Sequence, residues 1–224
     1  EQMWFHVDAA YAGAALVCPE FRPLAKGMER ADSVVVNPHK WLLTSIDCSV
    51  LWVADSTHLT DALNVEREYL PRVRNTQKVV AKDYHRWEIP LGHKFRAFKL
   101  WFVLRMYGAA GLRKYIRGHM DEMHWLQDQL VADGRFEIVA PVVFGLVVFR
   151  LRPDILPDSD QTAVNKELVR RINADGRVFL LGSSVKGMGV VRASIGSTIA
   201  THENTRTLVA VITEVTTAML AESS

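Results

Sequence analysis

Short apolar runs separated by polar turns occupy the first quarter of the chain and predict the strands of an α/β sheet. Three runs rich in β-branched and aromatic residues stand at 3–8 (MWFHVD), 33–37 (SVVVN) and 49–53 (SVLWV). Between the first two runs, Pro19, Pro23 and Gly27 indicate a loop with a short helix. Strands joined by such crossovers favour an α/β sheet over a β-sandwich.

Helical spacing of apolar residues replaces this pattern after residue 94. Phe95, Phe98 and Phe102 recur at helical intervals up to Gly108. A second helical stripe then follows the i, i+3, i+4, i+7 pattern: Leu112, Tyr115, Ile116, His119, Met123, Leu126 and Leu130. Since His119 lies on this apolar face, we interpret it as a packed core histidine rather than a ligand.

The remainder of the chain mixes short strands with helices and predicts a compact α+β unit. Strands are predicted at 136–140, 145–151, 177–181 and 190–195. One helix is predicted at 164–174, and a last helix begins after the cap residue Thr201. This unit is predicted to be a separate small domain that begins near residue 110 to 120.

Composition and charge describe a globular protein with no sign of a nucleic-acid or membrane-surface partner. The chain is 49% hydrophobic and 23% charged, with a net charge of +2. No apolar run approaches the roughly 20 residues of a membrane span. Cys18 and Cys48 lack zinc-ligand spacing, which favours reduced thiols in a cytoplasmic protein. Because the sequence begins within a predicted strand, we interpret it as the carboxy-terminal part of a longer protein.

The segment from Leu59 to Lys82 has no clean period. It contains five basic side chains: Arg67, Arg72, Arg74, Lys78 and Lys82. A solvated surface loop is one interpretation. Long loops in compact domains are also often active-site lids, so a catalytic lid is the other.

Two ionisable residues follow predicted strands and suggest a chemistry. Asp8 ends the first strand, and Lys40 lies 32 positions later, just after the second. A lysine amine can form an imine with an aldehyde, and pyridoxal 5'-phosphate (PLP) also needs a carboxylate against its ring nitrogen. The alternative is that Asp8 caps a loop or helix and that Lys40 is a surface residue, and spacing alone leaves both open.

Four longer motifs resemble one enzyme family. They are HVDAAYAGAALVCPEFRPL (6–24), NPHKWLLTSIDCSVLWV (37–53), YHRWEIPLGHKFRAFKLWFVLRMYG (84–108) and GLRKYIRGHM (111–120). Together they resemble the group II PLP-dependent decarboxylases, specifically the aromatic-L-amino-acid decarboxylases. The resemblance covers essentially the whole chain and thins after about residue 120.

The resemblance implies a fold and a domain division. The expected fold is the α/β PLP-dependent transferase fold of aspartate aminotransferase, in a homodimer with active sites at the subunit interface. Residues 1–110 would be the carboxy-terminal part of the large PLP-binding domain, with the lid at about 64–82. Residues 111–224 would be the small carboxy-terminal domain. The family's ring-stacking histidine and Ser/Gly-rich phosphate loop lie upstream, in an amino-terminal portion on the same or another chain.

The resemblance also implies cofactor-binding roles for five residues. Lys40 corresponds to the lysine that holds the cofactor as a Schiff base, and Asp8 to the aspartate that pairs with the pyridinium nitrogen. Ala10 lies where the family packs a small residue against the ring. Asn37 and His39 match residues beside the phosphate and the Schiff base.

Two more residues bear on reaction and substrate. Tyr69 matches a lid tyrosine that delivers a proton to the substrate Cα, whereas aldehyde-forming relatives have phenylalanine there. Gly92 matches a position lining the aromatic pocket of the neighbouring subunit, where a glycine leaves room for indole or catechol. Two departures, His93 for arginine and Ile46 for an aromatic residue, affect the expected substrate range.

The expected reaction is decarboxylation of a tryptophan-, tyrosine- or dopa-type amino acid to its arylalkylamine and CO₂. A family member with another substrate, such as histidine or glutamate, and an aldehyde-forming member are the nearest alternatives. A non-catalytic dimerisation or interaction fragment is an alternative of a different class. A metal hydrolase is disfavoured because the sequence has no HExxH motif or paired ligand spacing.

Overall fold

In a computed structural model, the chain is described for residues 3–63, 84–90 and 92–222. It divides into two compact units, Glu1–Met106 and Tyr107–Ser224. The assignment of the two parts to the end of a large cofactor domain and to a small domain stays a prediction.

The first unit is built on a three-stranded sheet. Its strands are β1 (His6–Asp8), β2 (Ser33–Val36) and β3 (Val50–Val53), in the order β1-β2-β3. β1 runs parallel to β2, with Asp8 opposite Val35, and β2 runs antiparallel to β3. Because β1 and β2 are parallel, their carboxyl ends meet at one edge of the sheet.

The connection from β1 to β2 consists of three short 3-10 helices, Ala12–Val17, Pro19–Ala25 and Met28–Arg30. The first of them packs closely on the sheet. A Cβ added to Gly13 would lie 2.6 Å from Cγ2 of Val36, so this approach requires glycine.

Two short helices flank β3. The helix α1 (Pro38–Trp41) follows β2 directly, and α2 (Ser56–Ala62) follows β3. The N-cap of α2 is Asp55, whose Oδ1 accepts a hydrogen bond from the backbone N–H of Thr57.

Several apolar residues of the first unit lie at its surface. The strand predicted at 3–8 is wrong in its first residues, because β1 begins at His6, and Met3 is 87% exposed. The aromatic residues at the start of the next helix are also exposed: Phe95, Phe98, Trp101 and Phe102. No element among residues 3–63, 84–90 and 92–106 covers these side chains. Ring contacts join Phe98 to Phe95, Trp101 and Phe102, so these four aromatic side chains form one exposed cluster.

The helix α3 (Arg96–Asp133) is interrupted at Gly108, where the backbone has φ 59° and ψ 179°. This positive φ is one that glycine adopts without strain, so the predicted division of the helical region at Gly108 is confirmed. After the break, the predicted apolar stripe is buried at Leu112, Ile116, His119, Met123, Leu126 and Leu130.

The second unit contains a four-stranded antiparallel sheet in the order β4-β5-β7-β6. Its strands are β4 (Phe136–Ile138), β5 (Leu146–Leu151), β6 (Leu181–Val185) and β7 (Met188–Ser194). The helices α4 (Gln161–Asp175) and α5 (His202–Ala221) complete the unit. The cap predicted at Thr201 is confirmed, since Thr201 and Asn204 form a reciprocal capping box.

The strand predicted at 177–181 is wrong in its bounds, because β6 begins only at Leu181. The side chain of Asn173 explains the shift. Its amide donates to the carbonyl of Leu180 at 2.9 Å and accepts from the N–H of Leu180 at 2.8 Å. A side chain therefore satisfies the backbone groups that a sheet ladder would otherwise use.

His119 is 5% exposed, and its Nε2 lies 3.2 Å from the carbonyl oxygen of Ser197. It is thus a core histidine, as predicted.

Burial has the largest influence on the pKa of His119 and lowers it from the usual 6.5. As pH falls through 6.5, His119 becomes protonated in the unfolded chain, whereas in the folded unit it stays neutral until a lower pH. The free energy of unfolding therefore decreases with falling pH between 6.5 and the lower folded pKa.

We expect urea-unfolding midpoints of the full chain to fall from pH 8 to pH 5.5, with part of this slope removed by His119→Gln. His124 is exposed on the same helix, so His124→Gln is the matched control and should leave the slope unchanged. An identical slope in both variants would contradict the assignment to His119.

Candidate active site

The carboxyl edge of β1 and β2 gathers the residues expected to bind a cofactor. Asp8 ends β1, and its exposed carboxylate accepts a hydrogen bond at Oδ1 from the N–H of Ala10, at 3.0 Å. Backbone hydrogen bonds between the β1 and β2 segments continue past the ends of the two strands. The N–H of Ala9 donates to the carbonyl of Val35, and the N–H of Asn37 donates to that of Ala10, each at 3.0 Å. Ala10 is therefore fixed beside Asn37.

Lys40 lies in α1, the four-residue helix that starts where β2 stops. Pro38 occupies the first turn, and the N–H of Lys40 donates to the carbonyl of Asn37 at 2.9 Å. The next residue, Trp41, is fully buried and stacks on Tyr11 at 4.9 Å between ring centroids. The turn is thus anchored by an aromatic core while the side chain of Lys40 stays exposed.

Asp8 and Lys40 approach the same edge without pairing with each other. Among the residues that the structure describes, neither the carboxylate of Asp8 nor the amine of Lys40 takes part in an ion pair. Both residues are exposed at this edge.

Asn37 and His39 are held by residues near the start of β3. The hydroxyl of Ser49 donates to Oδ1 of Asn37. Nδ1 of His39 lies 3.1 Å from the N–H nitrogen and 2.5 Å from the carbonyl oxygen of Cys48. Which of these two bonds forms depends on whether Nδ1 carries the proton. In either case Nδ1 of His39 is hydrogen-bonded to the backbone of Cys48.

The side chain of Cys48 has a structural role at this site and not a chemical one. Its side chain is 2% exposed, and burial raises the pKa of its thiol. A buried thiol with a raised pKa stays protonated and is a poor nucleophile.

The remaining predicted residues lie elsewhere or outside the described part. Tyr69 and the lid expected at about 64–82 belong to the residues that are not described.

Gly92 is exposed, and a Cβ added to it would meet nothing within 4 Å in the described chain. Ile46 is 82% exposed, and Nδ1 of His93 contacts Oε2 of Glu88 at 3.0 Å. Since Gly92 is expected to line the pocket of a neighbouring subunit, its assignment stays a prediction.

Sequence reasoning missed the residues that brace the site. These are Asp47, Cys48 and Ser49, in the loop after α1, and Arg96, at the start of α3. The motif at 37–53 places Asp47, Cys48 and Ser49 directly before the apolar run of β3, but Thr44 and Ser45 are also polar, so these three residues do not stand out. Their partners are distant in sequence and could not be deduced from spacing.

Neither a metal-binding cluster nor a membrane-spanning helix is found in the described part of the chain. No group of three or more His, Cys, Asp or Glu side chains within residues 3–63, 84–90 and 92–222 could hold a metal ion. None of the helices in these same ranges is both long and apolar enough to cross a membrane.

Comparison with known proteins identifies the family. A family model described as the pyridoxal-dependent decarboxylase conserved domain matches residues 1–152. The chain belongs to this family. An aromatic-L-amino-acid decarboxylase of Manduca sexta is 45% identical over 195 residues, which are 87% of this chain and 36% of that protein. A phenylacetaldehyde synthase of Arabidopsis thaliana is 42% identical over 204 residues, 91% of this chain and 41% of that protein.

A solved structure confirms the predicted α/β fold of PLP-dependent enzymes. Oryza sativa TDC with PLP and tryptamine superposes with a TM-score of 0.89 at 38% identity. The match covers 97% of this chain and 45% of that one. The chain therefore spans less than half the length of the relatives that it matches.

The chemistry of the carboxyl edge fits the cofactor on which the family depends. A primary amine and a carboxylate follow adjacent parallel strands, and both are accessible. Ala10, which is buried and bonded through its carbonyl to the N–H of Asn37, adds no bulky side chain at this edge. An aldehyde and a ring nitrogen on one flat molecule would meet complementary groups there.

Proposed function

We propose that this chain is the carboxy-terminal portion of a PLP-dependent decarboxylase of aromatic L-amino acids. The reaction converts a tryptophan-, tyrosine- or dopa-type substrate to its arylalkylamine and CO₂. The observation that carries the proposal is the placement of Asp8 and Lys40 at one sheet edge, inside motifs of the family. Relatives named as aromatic-L-amino-acid, tyrosine and tryptophan decarboxylases support the substrate class.

Lys40 and Asp8 hold opposite ends of the cofactor in this proposal. When bound, PLP supplies an aldehyde that reacts with amines and a protonated ring that accepts the electrons released as CO₂ leaves. Lys40 would hold the cofactor through its amine, the group that reacts with an aldehyde. The carboxylate of Asp8 would pair with the ring nitrogen and favour its protonated form. Ala10 would be the small side chain beside the ring.

Asn37 and His39 would be further contacts of the cofactor, in line with the family residues that they match. Because Cys48 occupies Nδ1 of His39, Nε2 is the ring nitrogen that remains for a ligand. The hydroxyl of Ser49 orients the side-chain amide of Asn37 in the same manner. Both side chains would therefore be set in position before the cofactor arrives.

Tyr69 donates the proton that the substrate Cα needs after CO₂ departs. A phenol on a closing lid can deliver this proton while water and oxygen are kept out. The assignment rests on sequence, since Tyr69 lies outside the described residues.

Replacing Tyr69 with phenylalanine removes the proton donor but keeps the ring. We expect amine formation by Tyr69→Phe to fall roughly 10²- to 10⁴-fold, the usual range for loss of a general acid. Oxygen would then divert the substrate to aldehyde, with ammonia and hydrogen peroxide as the accompanying products. Chromatography of amine and aldehyde with a peroxide assay measures the change. Phe179 is exposed in the second unit, so Phe179→Leu is a control that should leave the products unchanged. An unchanged amine yield in Tyr69→Phe would contradict the role of Tyr69.

The remainder of the site is proposed to lie outside this chain. The chain spans 36% to 45% of the proteins compared above. Its exposed apolar residues, such as Met3 and Phe95, offer a surface for a complementing amino-terminal portion on the same or another chain. The complete enzyme is proposed to be a homodimer with active sites at the subunit interface. The cysteines Cys18 and Cys48, free and buried, favour a cytoplasmic location.

Within the same family, an aldehyde-forming activity is the second candidate, because the phenylacetaldehyde synthase is a similarly close relative. A family member acting on histidine or glutamate is a further alternative. Incubation with a panel of aromatic amino acids, histidine and glutamate, followed by product analysis, separates these activities. Arylalkylamines with equimolar CO₂ are expected. We assign Gly92 to the aromatic pocket, which predicts preference for indole or catechol rings.

A non-catalytic dimerisation or interaction fragment is the alternative of a different class. This alternative predicts no PLP binding even when the complementing portion is supplied. Binding of PLP at Lys40 would exclude it.

A further inference from the structure

The loop between α1 and β3, residues 42–49, contacts both the start of α3 and His39. Here it is named the post-lysine loop. We propose that Asp47 and Arg96 form a positioning pair that acts through this loop to hold His39, and with it the turn that carries Lys40. The inference rests on the proposed function only for its effect on the cofactor.

The start of α3 contacts the post-lysine loop at Ser45 and Asp47. Nε and Nη2 of Arg96 both donate to Oδ2 of Asp47, at 2.9 Å and 2.7 Å. Nζ of Lys99 donates to the carbonyl of Ser45 at 2.7 Å, and Nζ of Lys94 lies 3.8 Å from Oδ1 of Asp47. Three cationic side chains from six consecutive residues therefore converge on this loop.

The residue after Asp47 holds His39. Cys48 directly follows Asp47, and its backbone N–H and carbonyl both lie within hydrogen-bond distance of Nδ1 of His39. The N–H of His39 also donates to the carbonyl of Cys48, at 3.4 Å. Since His39 immediately precedes Lys40, a displacement of residue 48 would reach the lysine turn.

Exposure argues that this pair positions residues rather than stabilising the fold. The side chains of Asp47 and Arg96 are 46% and 31% exposed, and exposed ion pairs contribute little to stability. Two N–H groups directed at one oxygen nevertheless fix where the loop lies. The hydrogen bond from Arg96 is the largest influence that lowers the pKa of Asp47, to about 2. The pair is therefore ionised at any pH used for an assay.

The test compares Asp47→Asn with the unaltered chain, in the presence of the complementing portion. Hydrogen exchange by mass spectrometry measures the amides of Lys40 and Cys48, and borohydride reduction with PLP measures labelling of Lys40. We expect exchange in peptides covering 37–49 to become about tenfold faster. The rate of labelling should fall about tenfold, because the amine is less well placed. Asp47→Glu keeps the carboxylate and should restore most of both.

Asp154 provides the matched control. Arg152 contacts Asp154 through Nε at 3.0 Å and Nη2 at 2.8 Å, in the second unit. Asp154→Asn removes a similar exposed pair and should change neither measurement. Exchange confined to 37–49, with β1 and β2 unaffected, supports the inference.

Two results would overturn the inference. One is unchanged exchange and labelling in Asp47→Asn. The other is faster exchange throughout the first unit, which would mean a general structural role. If the unaltered protein is not labelled at Lys40, the proposed function fails, and the exchange comparison still decides whether Asp47 positions the loop.

Discussion

Replacing Lys40 with alanine is expected to lower the rate of decarboxylation on the order of a thousandfold or more, because the amine proposed to bind the cofactor covalently is gone. The fold should persist, since the side chain of Lys40 is exposed and the turn is anchored by Trp41. Borohydride reduction of the variant with PLP should then leave peptide 37–49 unlabelled. Turnover with tryptophan or dopa, followed by peptide mapping, measures both effects.

Two further variants isolate the reason for this loss. Lys40→Arg keeps a positive charge but cannot form an imine, so it should be as inactive as Lys40→Ala. The exposed lysine Lys26, in the β1–β2 connection, is the matched control, and Lys26→Ala should retain full activity and labelling. Substantial activity in Lys40→Arg would show that charge, not covalent chemistry, is the contribution of residue 40.

Replacing Asp8 with asparagine will reduce kcat by roughly 10²- to 10³-fold, the range found when a preorganised electrostatic partner is removed. Asparagine has nearly the same shape, and its side-chain oxygen can still accept the hydrogen bond from the N–H of Ala10. The neutral amide cannot pair with a protonated ring nitrogen. We therefore expect labelling of Lys40 to continue while turnover falls.

Asp32 offers a control for Asp8 at the opposite end of the same two strands. Its Oδ2 accepts a hydrogen bond from the N–H of Phe5 at 2.6 Å, so it also links the β1 and β2 segments. Asp32→Asn removes a carboxylate of similar structural role away from the carboxyl edge and should leave kcat within about twofold. An equal loss in both variants would mean that Asp8 acts on the fold alone.

The carboxyl edge was predictable from sequence because its parts are local. Asp8 and Lys40 each follow a β-branched or aromatic run, and the parallel pairing of β1 and β2 is enough to bring both to one edge. The Gly108 break and the Thr201 cap were likewise visible, since each depends on a single residue type at a helix boundary.

The parts that sequence did not predict depend on contacts between distant residues. Arg96 reaches Asp47 across 49 positions, and nothing in the spacing of charges identifies this partner. The late start of β6 depends on the side chain of Asn173, seven positions before Leu180. The exposure of Met3 was also missed, because an apolar run does not reveal whether its covering layer belongs to the same chain.

The central claim is that Lys40 is the site at which this chain binds PLP. The most direct test is an absorbance spectrum after mixing the protein with PLP, alone and with its complementing portion, followed by borohydride reduction and mass mapping. The account predicts a yellow band that reduction removes, with the label on Lys40. No band under either condition, or a label scattered over exposed lysines such as Lys26, would contradict it.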